Sequence, residues 1–313
     1  MKNGLIIKSI SGEYTVFSEE LYVCKPRGVF RHQDKSPKVG DCVAFDEKTL
    51  TIIKIHDRKN ELVRPVIANV DYAILVFSIV EPDLNLQLLD RILSILEYQD
   101  ISSVIVFTKN DLLQFKDTNF EEAYNNAKEY YKKIGYPVLE SINGSCYQEL
   151  KQYVENNVCV CIGQSGVGKS TILNAIDPTL NIKTAEISKA LGRGKHTTRH
   201  IELIKVGNGW LADSPGFGTV NFDDIDELTL SHTFVEFFKE SENCRFSKCT
   251  HTNEPGCNIK ALVDKNEILG TRYRNYLTFI QEVKQNKKNK YWGVLWLSLH
   301  LFYQLIFQSY WLK

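Results

Sequence analysis

Residues 4–10 (GLIIKSI), 14–18 (YTVFS), 21–25 (LYVCK), 41–45 (DCVAF) and 49–56 (TLTIIKIH) are short runs of β-branched and aromatic side chains. SGE, a loop at 26–39 with two prolines, and DEK separate them. This pattern predicts five strands. Five strands within about 60 residues predict a small closed barrel. The texture changes from residue 66. DYAILVFSI (71–79) is a nearly unbroken apolar run, as a buried parallel strand requires. In 84–98, Leu86, Leu89, Ile92, Leu93 and Leu96 recur at helical spacing. SSVIVFTKND (102–111) predicts a second buried strand, and 119–133 a polar helix with a stripe of Phe120, Ala123, Ala127 and Tyr130. A short strand at 136–141, a helix at 146–155, and a strand at Val158–Ile162 leading to a helix at Ser170–Ile176 continue the alternation. Strand and helix in turn imply a doubly wound α/β domain reaching about residue 222. Helices are predicted at 259–268 and 271–284.

Composition narrows the class. With 43% hydrophobic and 24% charged residues the chain is a folded protein. Lys plus Arg and Asp plus Glu are both 38, so net charge alone names no nucleic-acid partner. Local asymmetry is stronger. The 26–39 loop carries Arg27, Arg31, His32, Lys35 and Lys38 against Asp34. It is either a solvated loop or a contact to a phosphate backbone. Seven acids and one Lys fill 223–242, whereas 241–290 has ten Lys or Arg against five acids. Eight cysteines are too few for a secreted disulfide scaffold, and MKNGLIIKSI lacks signal-peptide character, so a cytoplasmic protein is expected.

GQSGVGKS (163–170) fits the G-x-x-x-x-G-K-S/T phosphate loop, between a predicted strand and a predicted helix. Gly163, Gly166 and Gly168 permit tight turns whose N–H groups converge on phosphate, with Val167 and Thr171 completing the nucleotide-facing run. Lys169 reaches the β- and γ-phosphates and Ser170 offers a hydroxyl to Mg²⁺. In DSPGFG (213–218), Asp213 suits a magnesium-bound water and the Gly216 N–H suits the γ-phosphate. TKND (108–111) ends the second buried strand. There Asp111 can accept from N1–H and the 2-amino group of guanine, a pair adenine lacks, while Lys109 lies over the base. ESING (140–144) could close over the base oxygen, with Ser141 as its brace, or could be a plain turn.

The order of these motifs is unusual. A conventional GTPase runs phosphate loop, switch, D-x-x-G, then guanine reader. Here the guanine reader precedes the phosphate loop, which predicts a circularly permuted domain. Between the loop and Asp213, residues 181–205 hold six Lys or Arg against two Glu, as a segment ordered by γ-phosphate and Mg²⁺ would, or one that contacts RNA. Thr197 or Thr198 would give the second Mg²⁺ hydroxyl. The residues leave both open, and Thr197 is paired with Ser170 as the magnesium set. Phe217 stands where many GTPases carry a water-orienting Gln, so slow intrinsic hydrolysis is expected, and His196 is the local candidate to replace it. Lys169, Asp213 and His196 form the catalytic set.

Cys244, Cys249, His251 and Cys257 follow C-x4-C-x-H-x5-C, a donor set suited to a closed tetrahedral, structural Zn²⁺ site. Cys24, Cys42, Cys146, Cys159 and Cys161 sit in or beside apolar runs and are expected in the core.

Together, RPVIANVD (64–71), TKND, GQSGVGKST (163–171), GRGKHTT (192–198), DSPGFG and CRFSKCTHTNEPGC (244–257) make the chain resemble the ribosome small subunit-dependent GTPase A family, circularly permuted bacterial GTPases of late small-subunit maturation. The resemblance covers nearly all of residues 1–285. It implies an N-terminal OB barrel (1–62), a central permuted P-loop GTPase (63–222), and an acidic linker with a helical zinc domain (223–290). It implies GTP as substrate, GDP as product, and hydrolysis stimulated by the small ribosomal subunit and its 16S rRNA, with a free protein that is a monomer. Thr108 departs from the family's usual Asn, which would weaken a brace to the phosphate loop, and Ser141-Ile142 replaces Ser-Ala. The alternative is an RNA-binding assembly factor whose P-loop domain is vestigial or not guanine-specific. Residues 291–313 resemble nothing in the family. Residues 291–312 carry no formal charge and would just span a bilayer, yet His300, Gln304 and Gln308 make one polar stripe. That favours a packed or interfacial helix over a membrane contact or an altered reading frame, and no stable membrane partner is expected.

Overall fold

The computed structural model describes residues 1–31, 36–142, 146–180, 201–213, 221–223 and 225–288; of Val29, Arg31, Thr179 and Asp213 only the backbone is described. His32, Lys35, His196, Thr197, Thr198, Gly216, Phe217 and the tail at 291–313 lie outside the described residues. The chain divides into two compact units, Met1–Val220 and Asn221–Lys313.

In the first unit, β1 (Lys2–Ile10), β2 (Glu13–Ser18), β3 (Glu20–Pro26), β4 (Cys42–Asp46) and β5 (Thr51–Ile55) close a barrel in the order β1-β2-β3-β5-β4. Alternation fills its interior with Ile6, Val16, Cys24, Val43, Phe45 and Ile52, all fully buried. Cys42 corrects the expectation that every cysteine outside the C-x4-C cluster is core: it begins β4 on the outward phase and is exposed, while Val43 and Phe45 point in.

A short hairpin the apolar pattern did not mark, β6 (Glu61–Leu62) and β7 (Ile67–Ala68), follows the barrel. The connection is polar and held by charge pairs. Arg58 forks onto the wholly buried Asp41 (Nε to Oδ1 2.7 Å, Nη2 to Oδ2 2.8 Å) and donates to Glu61 Oε2 at 2.6 Å. Lys38 donates to the same Glu61 carboxylate at 3.0 Å.

The central sheet has the order β10-β9-β8-β11-β13-β12. Its strands are β8 (Tyr72–Ser78), β9 (Ser102–Thr108), β10 (Val138–Glu140), β11 (Val158–Ile162), β12 (Leu203–Val206) and β13 (Gly209–Asp213). All neighbours are parallel except the β12–β13 hairpin. Helices α3 (Cys146–Val154) and α4 (Lys169–Ile176) share a core with Ile74, Val76, Val104, Val106, Cys159 and Cys161. The alternate residues of β9 serve the opposite face, where Phe107 meets Tyr124 of α2 (Thr118–Lys133) edge-on, ring centroids 5.3 Å apart. Helix α1 (Leu86–Tyr98) buries Leu89, Ile92, Leu93 and Leu96 as its spacing predicts. The α2 stripe differs from the expected one: Tyr124, Ala127, Tyr130 and Tyr131 are buried, whereas Phe120 is half-buried and Ala123 is exposed. Tyrosine rings can pack while their hydroxyls find polar partners, so a helix poor in aliphatic residues is anchored by tyrosines.

The barrel touches the β12–β13 hairpin. Phe17 packs edge-on against Trp210 at 5.0 Å, Lys205 lies over the Phe17 ring at 4.8 Å, and Lys8 pairs with Glu202 at 2.6 Å.

In the second unit, helices Glu227–His232, Val235–Glu240 and Asn258–Asp264, with residues 270–288, pack around Phe222, Phe234, Phe237, Tyr276 and Phe279. Arg272, itself buried, donates to Glu236 at 2.6 Å and stacks over Phe234 at 4.6 Å. No helix among the described residues is long and apolar enough to cross a membrane.

Arg58→Ala leaves the buried Asp41 carboxylate without its counter-charge, held by the Lys38 N–H alone, and the loss of one partner of such a pair costs about 3 kcal/mol. The expected outcome is a lowered midpoint for barrel unfolding in denaturant, followed by tyrosine fluorescence, with partial recovery in Arg58→Lys.

Candidate nucleotide site and metal centre

Parallel pairing places the polar ends of β8, β9, β11 and β13 on one edge of the sheet. Cys161 of β11 lies opposite both Ile74 of β8 and Asp213 of β13, so the chain leaves β11 into the glycine loop beside the Asp213 backbone. Gly163 has no room for a side chain: a Cβ there would come within 2.3 Å of the Val76 carbonyl oxygen. Gly168, at φ +97°, turns the chain into α4 and occupies its N-cap. A left-handed φ at that cap favours glycine. Val167 between them is buried against the sheet and anchors the loop. Lys169 Nζ donates to the carbonyls of Gly163 and Gln164, each at 2.8 Å, so its side chain arches over the loop. Ser170 and Thr171 lie in the first turn of α4.

Thr108 reaches the same loop from the end of β9. Its hydroxyl donates to the Val167 carbonyl at 2.6 Å, with Phe77 O at 3.4 Å as a weaker acceptor. A threonine therefore makes the link to the phosphate loop that was expected to suffer from the missing Asn. Lys109 is left-handed, φ +58°, and its ammonium donates to the Glu81 carbonyl. Asp111 is exposed in the 3-10 segment Asn110–Phe115 that follows. Ser141 N donates to Phe107 O at 2.8 Å, extending the β9–β10 ladder, and its hydroxyl meets Tyr147 OH at 3.2 Å. The structure thus brings Thr108, Lys109, Asp111 and Ser141 to the strand edge that carries Gly163–Thr171. Tyr147, and the contact of Asn110 with Glu140 at 2.9 Å, escaped the sequence reading: Tyr147 lies outside the motifs, and Asn110 and Glu140 join two motifs thirty residues apart, a pairing with no local signal.

In the second unit, the thiols of Cys244, Cys249 and Cys257 and a ring nitrogen of His251 all lie within 4.8 Å of one another. His251 Nδ1 faces Cys257 Sγ at 3.5 Å and Cys244 Sγ at 3.7 Å. Burial lowers its imidazole to about 4, so the ring is the neutral, ligating form at pH 7. Burial with neighbouring thiols pushes Cys249 up to about 12. Three thiolates would repel one another there unless a cation offset them, which is what a bound dication supplies. Donor set and convergence therefore fit a metal ion.

The loop between the ligands is held by Glu254, which accepts from Thr250 N and Oγ1, each at 2.7 Å, and from Thr252 N at 2.8 Å. Burial opposes its ionisation, but these donors outweigh burial and hold the carboxyl at about 2. Tyr276 and Tyr273 of the C-terminal helix donate to the carbonyls of Thr250 and His251. The alternating T-x-T-x-E run in 250–254 was the signal for Glu254.

Comparison with known proteins agrees with this geometry. The RsgA GTPase family matches residues 55–223, and the RsgA N-terminal domain matches residues 3–52. The chain belongs to the RsgA family. Small ribosomal subunit biogenesis GTPase RsgA of Bacillus cereus is 49% identical over 293 residues, covering 92% of this chain and 99% of that protein. RsgA 1 of Listeria monocytogenes is 45% identical over 295 residues, covering 93% and 100%. The crystal structure of YloQ, a circularly permuted GTPase, gives a TM-score of 0.75 at 38% identity, covering 91% of this chain and 96% of that one. YjeQ from Thermotoga maritima gives 0.74 at 34%, covering 90% and 98%. Like its RsgA relatives, the chain is a GTP-hydrolysing enzyme, with an OB-type barrel, a permuted GTPase domain and a helical region bearing a Cys3His cluster.

Thr108→Val keeps the shape but removes the donor to Val167 O. A buried carbonyl left without its donor costs about 1–3 kcal/mol, so GDP affinity is expected to fall about tenfold. Thr108→Asn should restore it, with fluorescent-GDP titration as the readout.

Proposed function

We propose that this GTPase of small ribosomal subunit biogenesis binds GTP with Mg²⁺ across the sheet edge and hydrolyses it when docked on 16S rRNA in the cytoplasm. The observation that carries the nucleotide assignment is the Thr108–Val167 hydrogen bond, which locks the base-reading segment to the phosphate loop.

In this reading Gly163, Gly166, Val167 and Gly168 present backbone N–H groups to the phosphates, and Lys169 swings from the Gly163 and Gln164 carbonyls to the β- and γ-oxygens. Ser170 and Thr197, or Thr198 in its place, hold Mg²⁺, with Asp213 on a water of its shell and Thr171 beside the phosphates. The ion supplies charge neutralisation at the transferring phosphoryl group. Gly216 N–H senses the γ-phosphate. Asp111 and Lys109 read and cover the guanine, and Ser141 braces the loop that closes on the base. Phe217 can neither accept from nor orient the attacking water, and His196, as a neutral imidazole, takes that task once rRNA fixes the basic segment around it.

Cys244, Cys249, His251 and Cys257 hold Zn²⁺ in a structural role, because four protein donors leave no open position for chemistry. The zinc fixes a knuckle whose tip, Arg245 to Lys248, is exposed and basic, with Arg245 over the Phe246 ring at 5.6 Å. That surface suits an RNA backbone with unstacked bases.

His196→Ala is expected to keep GTP binding and small-subunit binding but lose most of the subunit-stimulated rate, whereas Lys169→Ala loses nucleotide binding itself. Phosphate release with and without subunits measures both, and normal stimulated turnover in His196→Ala returns the water to rRNA or backbone groups.

Zinc removal is a separate test. Chelation, or Cys249→Ala, should melt the region around 244–257 and weaken subunit binding, because metal binding and local folding are coupled. Elemental analysis of the purified protein should find one zinc per chain; none would remove the zinc assignment.

A further inference from the structure

Glu140, the last residue of β10 and the first of ESING, has no role of its own in the motif reading, yet it sits between the two segments that flank the base. Its Oε1 accepts from Asn110 Nδ2 at 2.9 Å and from Tyr124 OH at 2.6 Å, and its Oε2 accepts from Lys128 Nζ at 3.1 Å. Asn110 Nδ2 also lies 3.1 Å from Tyr124 OH. Asn110 immediately precedes Asp111, and Glu140 immediately precedes Ser141. One carboxylate therefore joins the guanine-reading turn after β9 to the strand end that delivers the base-closing loop, and fastens both to α2.

The network is built to hold an ion in place. Tyr124 is 2% exposed, with its ring against Phe107 and Lys128 over its other side at 5.3 Å. Burial and the bond to Glu140 drive the Tyr124 phenol far above its ordinary value. Burial opposes ionisation of Glu140, but Tyr124 and Lys128 outweigh it and keep the carboxyl below its ordinary range. Hydrogen bonds to a charged acceptor are shorter and about twice as strong as neutral ones. The Asn110 amide is oriented by this acceptor, since a carboxylate can only accept. Its other end, Oδ1, is buried and takes no donor among the described residues. Asn110 thus gives up one hydrogen bond, and the Glu140 contact holds the turn.

We propose that Glu140, acting through Asn110, is a positioning residue that sets the guanine selectivity of Asp111. It does not touch the nucleotide. It fixes the backbone from which Asp111 projects relative to the loop that begins at Ser141. The proposal rests on the assignment of Asp111 as the guanine reader.

The test compares GTP with ITP, which lacks the 2-amino group that Asp111 would accept, in competition titrations and in steady-state hydrolysis. Glu140→Ala is expected to narrow the advantage of GTP over ITP by about tenfold, a change seen in KM rather than kcat. Asn110→Ala, which cuts the same link from the other side, should do the same. Glu140→Gln keeps an acceptor oxygen for Asn110 and Tyr124 and should recover most of the selectivity. A merely structural role would lower the affinity for GTP and ITP together and leave their ratio at the wild-type value. That result in Asn110→Ala or in folded Glu140→Ala overturns the proposal. Asp111→Asn, run alongside, should turn preference toward XTP. If it does so while the Glu140 and Asn110 variants keep the wild-type ratio, the guanine reading stands and the Glu140 proposal falls. If Asp111→Asn changes nothing, the reading itself fails and takes the proposal with it.

Discussion

Parallel pairing of β11 with both β8 and β13 is the constraint on which the nucleotide site depends. A parallel strand leaves its polar end on the same edge as its neighbours, so the glycine loop, TKND and the strand end at Asp213 meet whatever their order in the chain. That is why permutation is tolerated. The contacts that define the site run between strands, and a chain break moved to a surface connection leaves them intact. Gly163, with the Val76 carbonyl where a side chain would stand, shows how closely the loop is seated on β8.

The barrel is coupled to this sheet at its far edge. Phe17 and Lys8 of the barrel meet Trp210, Lys205 and Glu202 on the β12–β13 hairpin. One strand of that hairpin follows the basic segment, and the other ends at Asp213. The RNA-binding and nucleotide-sensing parts of the proposed cycle thus share a wall of aromatic and charged contacts. The metal module is organised differently. Its core is aromatic, its ligand loop is pinned by Glu254 and two tyrosine hydroxyls, and a buried Arg272–Glu236 pair crosses its helices.

Much of this was legible in the sequence. The five barrel strands, the parallel strands and the glycine loop follow from strong local signals, because apolar runs and glycine spacing act within a few residues. The Cys3His cluster was legible for the same reason. The tyrosine stripe of α2 was not, since Ala123 looks apolar while the larger Tyr124 fills the groove over Phe107. The β6–β7 hairpin was also missed: two-residue strands carry no period, and the segment leading into it is held by Arg58 on Asp41, a contact between residues seventeen apart in the chain. Thr108 shows the limit of motif comparison. A hydroxyl in place of an amide looked like a loss, and only the approach of β9 to Val167 shows that it reaches.

In the proposed mechanism the chain supplies its own phosphate-positioning groups, while Phe217 leaves the attacking water without its usual partner. GTP turnover by the purified protein, measured with and without purified small ribosomal subunits, tests this most directly. Slow turnover alone and a large stimulation by small subunits, absent with large subunits, is the predicted result. Turnover that is equally fast with and without small subunits, or equally slow in both, would contradict it.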